Sequence, residues 1–370
     1  MKAAVYHGRH DLRVEDVPTP APGPGELLLE VHSVGVCGTD AAEWEHGPFI
    51  YAVPGPHAVT GHAGPLIPGH ELSGRVVALG DGVRGIEVGA IVACGAGYTV
   101  GTDVEVRRGR PNLSSHYATV GLQRNGGLAQ YVAVPAEACI DVRPYGLRDD
   151  AAALAQPMAI AVHSMRRGRL TSGEKALVIG AGGIGAFLLY AAVELGAQVG
   201  VVDLSDERLE VARSLGAHEL IGAADGDLGD VLAARDFRPD AIYEVSGSAV
   251  GLGTAIRVAP NGSRVVMVGI HEHTREVDVR RITLGEIDLL GTNAHVCDVD
   301  LPEAVRVLAT RTGGWADVAP KAFPLELLLD EGIRPIVERR AKRIKTLIDP
   351  WADAPRETET APDLAVEPAS

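Results

Sequence analysis

Val178-Ile-Gly-Ala-Gly-Gly-Ile-Gly-Ala186 decides the fold. Its glycines Gly180, Gly182 and Gly185 fit G-x-G-x-x-G. Taken alone the pattern is weak, because glycine-rich turns are common. The flanks give it meaning. Residues 176–179 (Ala-Leu-Val-Ile) are a short apolar run bounded by polar residues, which reads as a buried parallel strand. Residues 184–195 read as a largely apolar helix stopped by Gly196. Residues 198–203 then form a second strand ending in Asp203, about 20 residues beyond the turn, where a dinucleotide fold places the carboxylate that holds the ribose hydroxyls.

Each position has a physical task. Gly180 permits the tight turn, and Gly182 lets the backbone approach a pyrophosphate. That pyrophosphate would sit on the free N–H groups of the helix start at Gly183 and Ile184. Gly185 lets helix and strand pack closely. Asp203 would accept from both ribose hydroxyls and repel a 2′-phosphate, and no arginine directly follows it (Leu204, Ser205 and Asp206 do). The expected cofactor is NAD rather than NADP.

The glycine turn starts near the middle of a 370-residue chain, so a second domain must occupy the first half. A net charge of −15 argues against nucleic acid or an anionic membrane as partner. No apolar run approaches the ~20 residues of a membrane span. The start of the chain reads as a strand without a signal-peptide core, and the four cysteines (Cys37, Cys94, Cys139, Cys297) are too few and too scattered for a disulfide framework. A reducing cytoplasm is the expected compartment.

Residues 1–35 read as β-structure with Pro/Gly turns. Val36-Cys-Gly-Thr-Asp40 follows, then a long loop, then Pro68-Gly-His-Glu71. Cys37, His70 and Glu71 offer a thiolate, an imidazole and a carboxylate, and a catalytic zinc site wants three protein ligands with a fourth position open. The spacing alone is not diagnostic.

GVCGTD, then GHE leading into Leu72-Ser-Gly-Arg-Val-Val-Ala-Leu-Gly-Asp-Gly-Val83, then the nucleotide fold, resembles the zinc-dependent medium-chain alcohol dehydrogenases over about residues 1–350. The loop from Gly47-Pro-Phe-Ile to Pro56-His-Ala-Val-Thr-Gly61 and the ending Lys345-Thr-Leu-Ile-Asp-Pro350 resemble the 2,3-butanediol dehydrogenases, near the sorbitol dehydrogenases. The resemblance implies an α/β protein with a GroES-like β-barrel catalytic domain and a Rossmann doubly wound parallel sheet. It implies a catalytic zinc on Cys37 and His70, with Glu71 or Gln156 completing the shell, and Thr39 as acceptor of the substrate proton. Arg208 would lie near the adenine, and Ser246, Val268, Gly269 and Ile270 would lie along the nicotinamide half. The implied substrate is a small secondary alcohol or vicinal diol and its ketone, and the implied assembly is a homo-oligomer, dimer or tetramer.

Three departures stand out. Val100, Asp103, Val106 and Ser114 occupy the places of the four cysteines that hold a structural zinc in relatives, so one zinc is expected, not two. Gln156-Pro157 stands where relatives usually have Glu-Pro, which leaves Glu71 or Gln156 as third ligand. Ala42 stands where relatives often have a proton-relaying histidine. Residues 1–150 are expected to form the catalytic domain, completed by 291–350. Residues 151–290 are expected to form the nucleotide domain, and 351–370 a disordered tail. The alternatives are a zinc-independent reductase of the same fold and a non-catalytic NAD-binding protein.

Overall fold

The structure, a computed structural model, describes residues 1–271 and 273–363, with the backbone alone of Ala223. The chain divides into two compact units, Met1–Ala159 with the stretch from His295, and Ile160–Ala294.

The first unit is β-rich. Its strands in the first half of the chain are β1 (Lys2–Gly8), β2 (Asp11–Asp16), β3 (Glu26–Gly35), β4 (Glu71–Leu79), β5 (Ile91–Cys94), β6 (Gly97–Thr99), β7 (Tyr117–Thr119), β8 (Tyr131–Pro135) and β9 (Cys139–Asp141). Three short helices lie between or after them: α1 (Gly38–His46), α2 (Val104–Arg107) and α3 (Asp149–Ala152). β3 is the spine, antiparallel to β4 on one side and to β8 along its first half. Its burial alternates, with Leu27, Leu29 and Val31 fully buried and Leu28, Glu30 and His32 half-buried. That is the period-2 signature of a strand with one face on a core.

The second unit holds six parallel strands: β10 (Lys175–Ile179), β11 (Gln198–Val202), β12 (Glu219–Ile221), β13 (Ala241–Glu244), β14 (Arg264–Met267) and β15 (Asp288–Gly291). Their order is β12-β11-β10-β13-β14-β15, all pairs parallel. This is the doubly wound order, and the switch point lies between β10 and β13. β10 is buried along its apolar length, as a strand covered on both faces must be. Helix α4 (Ala155–Arg167) precedes β10, α5 (Gly183–Glu194) follows it, and α6 (Asp206–Ser214) follows β11. Two helices, α3 and α4, lie in the stretch from Asp149 to Arg167.

The last strands, β16 (Lys321–Phe323), β17 (Leu347–Ile348) and β18 (Arg356–Glu357), return to the first sheet, with β17 antiparallel to β3 and β18 antiparallel to β16. This corrects the expectation of a disordered tail for residues 351–363. Arg356 binds both oxygens of buried Asp150 at 2.7 and 2.9 Å and reaches Asp349 at 2.7 Å. Thr360 is buried and accepts from the Trp315 N–H at 2.7 Å. Polar pairing holds this segment, and a composition argument that counts apolar residues does not register it. Residues 364–370 lie outside the described residues.

Candidate metal and cofactor sites

Cys37 ends the extended backbone after β3 and caps α1. Its backbone N–H donates to Asp40 Oδ2 at 2.9 Å. Asp40 is buried, and its other oxygen accepts from the Tyr51 hydroxyl at 2.8 Å and lies 3.6 Å from His70 Nδ1. His70 is delivered by Gly69, whose φ of +97° is a left-handed conformation. A Cβ on Gly69 would stand 2.8 Å from the Leu128 backbone nitrogen. Glu71 opens β4 opposite Gly35, where a Cβ would stand 2.2 Å from Glu71 Oε2. Gly35 of GVCG is therefore the room in which that carboxylate sits.

The ligand atoms of Cys37, His70 and Glu71 lie within 4.8 Å of one another, and among the described residues no other His/Cys/Asp/Glu group gathers this way. His70 and Glu71 are buried while Cys37 and Thr39 are half-buried. Thr39 Oγ1 is 3.8 Å from Cys37 Sγ, on the more open side of the cluster.

The charges fit a divalent cation. Glu71 pairs with buried Lys345, whose Nζ is 2.7 Å from Oε1 and 2.6 Å from Oε2. Lys345 also reaches the Val36 carbonyl at 3.3 Å. Burial works against the Lys345 charge, but Glu71 and Cys37 outweigh it and hold the amine above its usual value. Burial likewise opposes a charged His70, and Asp40 and Cys37 outweigh it and hold the imidazole well above its ordinary value. Zinc ligation requires a Cys37 thiolate and a neutral His70, and in that state Cys37, Asp40 and Glu71 would carry three negative charges against Lys345, a net of about −2 that the ion would cancel. His70 Nδ1 lies beside Asp40 and Glu71 Oε2 beside Lys345, so each of the two side chains is held by a buried charged neighbour. Gln156 is buried at the second position of α4.

In the second unit Gly180 has φ +103° at the end of β10. A Cβ on Gly185 would stand 1.8 Å from the Gly180 carbonyl, so helix α5 can lie this close to the turn only with glycine there. A Cβ on Gly182 would meet only Arg208 Nη1 at 3.9 Å, which leaves the space above the start of α5 open. Gly183 and Ile184 are half-buried in its first turn. Asp203 is buried just beyond β11, with Oδ2 accepting from Ala181 N at 2.7 Å and Oδ1 from Ser205 N at 2.9 Å. Arg208 stands 3.9 Å from Asp203 Oδ2.

Across the switch point, a Cβ on Gly180 would lie 3.1 Å from Ser246 N, and one on Gly269 would lie 2.2 Å from Gly247 N. The glycine turn, the Ser246–Gly247 loop and the Val268–Ile270 loop therefore converge, with Ile270 77% exposed. Beneath them is a feature the sequence reading missed. Glu244, fully buried at the end of β13, accepts from Ser246 Oγ and lies 3.2 Å from His271 Nε2. The visible signal was a carboxylate ending an otherwise apolar strand, Ala241-Ile-Tyr-Glu244.

The lobe that carries Val100, Asp103, Val106 and Ser114 is built around Asp103. Its carboxylate caps α2, accepting from Glu105 N and Val106 N at 3.0 Å each. It also accepts from Ser114 Oγ at 2.8 Å and Ser115 N at 3.2 Å. The Val106 N–H and the Ser114 hydroxyl hold the carboxyl down at about 2. Two of the four positions that carry cysteine in relatives thus bond directly to each other.

Residues 23–144 match the family model of the alcohol dehydrogenase GroES-like domain, and residues 183–310 that of the zinc-binding dehydrogenases. Sorbitol dehydrogenase of Bos taurus is 33% identical over 339 residues, covering 88% of this chain and 90% of that protein. The (R,R)-butanediol dehydrogenase of Bacillus subtilis is 31% identical over 354 residues, covering 95% of this chain and 100% of that protein. The crystal structure of 2R,3R-butanediol dehydrogenase from Bacillus subtilis superposes with a TM-score of 0.86 at 29% identity, covering 94% of this chain and 99% of that one. Among the described residues no helix is long and apolar enough to cross a membrane. The GroES-like and Rossmann-type folds, and the gathering of Cys37, His70 and Glu71, agree with these matches: the chain belongs to the zinc-binding alcohol dehydrogenase family of oxidoreductases acting on CH–OH groups.

Proposed function

We propose that this chain is an NAD-dependent dehydrogenase of a vicinal diol or polyol, with one zinc ion on Cys37, His70 and Glu71. The buried three-ligand cluster carries the reading. When bound, zinc supplies Lewis acidity toward a substrate hydroxyl and NAD supplies the hydride acceptor. Everything else is the work of this chain's side chains. Cys37 and His70 fix the metal, with Asp40 orienting both. Glu71 is the third ligand in preference to Gln156, because a carboxylate is the stronger donor and Lys345 holds it in place. Thr39 takes the substrate hydroxyl proton at Oγ1 on the open side of the cluster. Gly180, Gly182, Gly183, Ile184 and Gly185 cradle the pyrophosphate, Asp203 takes the adenosine ribose, and Arg208 flanks it. Ser246, Val268, Gly269 and Ile270 border the nicotinamide half.

The substrate class follows the sorbitol and butanediol dehydrogenases that this chain resembles along most of its length. The same resemblance supports a catalytic domain of residues 1–150 and 291–350, a cofactor domain of 151–290, a cytoplasmic location and a homo-oligomer. The lobe around Asp103 carries no zinc in this reading. The test is NAD-linked oxidation across a panel of 2,3-butanediol stereoisomers, sorbitol and simple secondary alcohols, before and after exhaustive chelation. Diol or polyol turnover lost on chelation and restored by zinc is expected. Turnover unaffected by chelation would overturn the metal role.

A further inference from the structure

Cys94 is the last residue of β5 and Cys139 the first of β9, and the two stand directly opposite in antiparallel register. Gly95 N donates to Ala138 O at 2.8 Å, and Val142 N donates to Ile91 O at 2.9 Å. Those two bonds fix the phase of the ladder. They bracket the 92/141 and 94/139 pairs, so Cys94 and Cys139 do not exchange hydrogen bonds with each other. At such a position the Cα atoms of an antiparallel pair are about 4.5 Å apart and the side chains are at their closest. A disulfide needs Cα atoms roughly 4.4–6.8 Å apart. The backbone is therefore already in bridging geometry while all four cysteines are free thiols.

Cys94 is buried and Cys139 half-buried. The two thiols titrate as a pair: the hydrogen bond between them eases the first ionisation, while burial and the first charge resist the second. Cys297 lies nearby, since a Cβ on Gly95 would be 2.9 Å from its Sγ, but it starts a helix and has no partner in register. Burial pushes its thiol up.

We propose that Cys94 and Cys139 form a reversible peroxide-driven disulfide that closes the loop carrying the Asp103 lobe. The thiolate of one cysteine of the pair attacks one oxygen of hydrogen peroxide, the O–O bond breaks, and hydroxide leaves, giving a sulfenic acid. The thiol of the other cysteine then attacks that sulfur. The S–O bond breaks, the S–S bond forms, and the thiol proton leaves with the hydroxyl as water. Two thiols are oxidised by two electrons and one peroxide is reduced to two waters. The bond closes residues 94–139, which contain β6, α2 and β7. It would tie together the base of a lobe that hydrogen bonds to Asp103 organise.

The experiment uses the full-length, zinc-loaded protein. It is treated with hydrogen peroxide, quenched and unfolded, its thiols are counted, and its peptides are mapped by mass. Two of the four thiols should disappear together, with Cys94 linked to Cys139, and dithiothreitol should restore both. In Cys94→Ser and Cys139→Ser, compared side by side, the same treatment should leave a sulfenic acid that dimedone captures on the remaining cysteine of the pair in at least one of the two. Thermolysin cleavage between residues 95 and 138 should slow by about threefold or more in the oxidised protein, as closing a local opening predicts. A link through Cys297 or Cys37, no intramolecular link at all, or no capture in either single variant would overturn the assignment. A cleavage rate unchanged by the bond would overturn its role as a staple. If Cys139→Ser fails to fold, the thiol count and peptide map of the unmodified sequence still decide.

Discussion

Two regions of the first unit stand where the sequence resemblance implies a metal site in the family, and they are built in opposite ways. The Cys37–His70–Glu71 cluster gathers a thiol, an imidazole and a carboxylate in one place, with two of the three buried. The lobe from β6 to β7 gathers donors around a single carboxylate, so Asp103 is satisfied by two backbone N–H groups of α2 and by Ser114 and Ser115. On the reading proposed above, the first arrangement takes a cation and the second does not. A loop can be fixed either by metal–thiolate bonds or by a capped helix turn. What separates the two is whether buried charge is left over once the protein's own bonds are counted.

The largest effect should come from the first region. Cys37→Ser should remove zinc and lower NAD-linked turnover by about a thousandfold or more, the scale of losing a group the transition state depends on, while NAD still binds. Metal analysis and NAD titration on the same preparation would check it, and a variant that keeps its activity would break the contrast at its strong end. Lys345→Met comes next. It leaves the Glu71 carboxylate buried without its lysine partner, and a broken buried pair costs about 3–5 kcal/mol. Urea unfolding of the zinc-free variant should show that loss, and added zinc should recover part of it. A loss under about 1 kcal/mol would mean the pair is solvated rather than part of a dry charge balance.

Asp203→Ala should weaken NAD by about tenfold, the worth of roughly 1.4 kcal/mol, and weaken NADP less. Direct binding of both cofactors reads this, and equal losses would remove the ribose role. The smallest effect belongs to the lobe. The Asp103 carboxyl is held down at about 2, below its unfolded value, so its contribution is full above about pH 4 and is lost as pH falls toward 2. Proteolysis within residues 97–119 should quicken over that window, and Asp103→Asn should shift the quickening to all pH values. Insensitivity to both would show that the lobe is held by something other than this carboxylate.

Much of this contrast was legible before any coordinates. The glycine turn, Asp203, and the order of Cys37, His70 and Glu71 are local patterns, and local patterns survive in sequence. The absent cysteines at 100, 103, 106 and 114 were equally plain. What filled their place was not. Asp103 and Ser114 were read as empty positions, although a carboxylate before a short polar helix is a cap signature. Lys345 meets Glu71 across 274 residues, and Glu244 meets His271 across two loops, so neither pair leaves a local trace. The pairing of Cys94 with Cys139 leaves no local trace either, because only strand register brings the two together. The C-terminal stretch through Asp363 was misjudged for a related reason. Arg356 makes its order by neutralising Asp150, which sits 206 residues earlier.

Zinc per chain on protein purified without chelator tests the account most directly. A value of about one, falling to none in Cys37→Ser, is the predicted result. A value near two, or metal retained by Cys37→Ser, would place an ion in the lobe or elsewhere and contradict the account. No zinc in the unaltered protein would contradict the claim that the buried charge around Cys37, His70 and Glu71 is there for a metal.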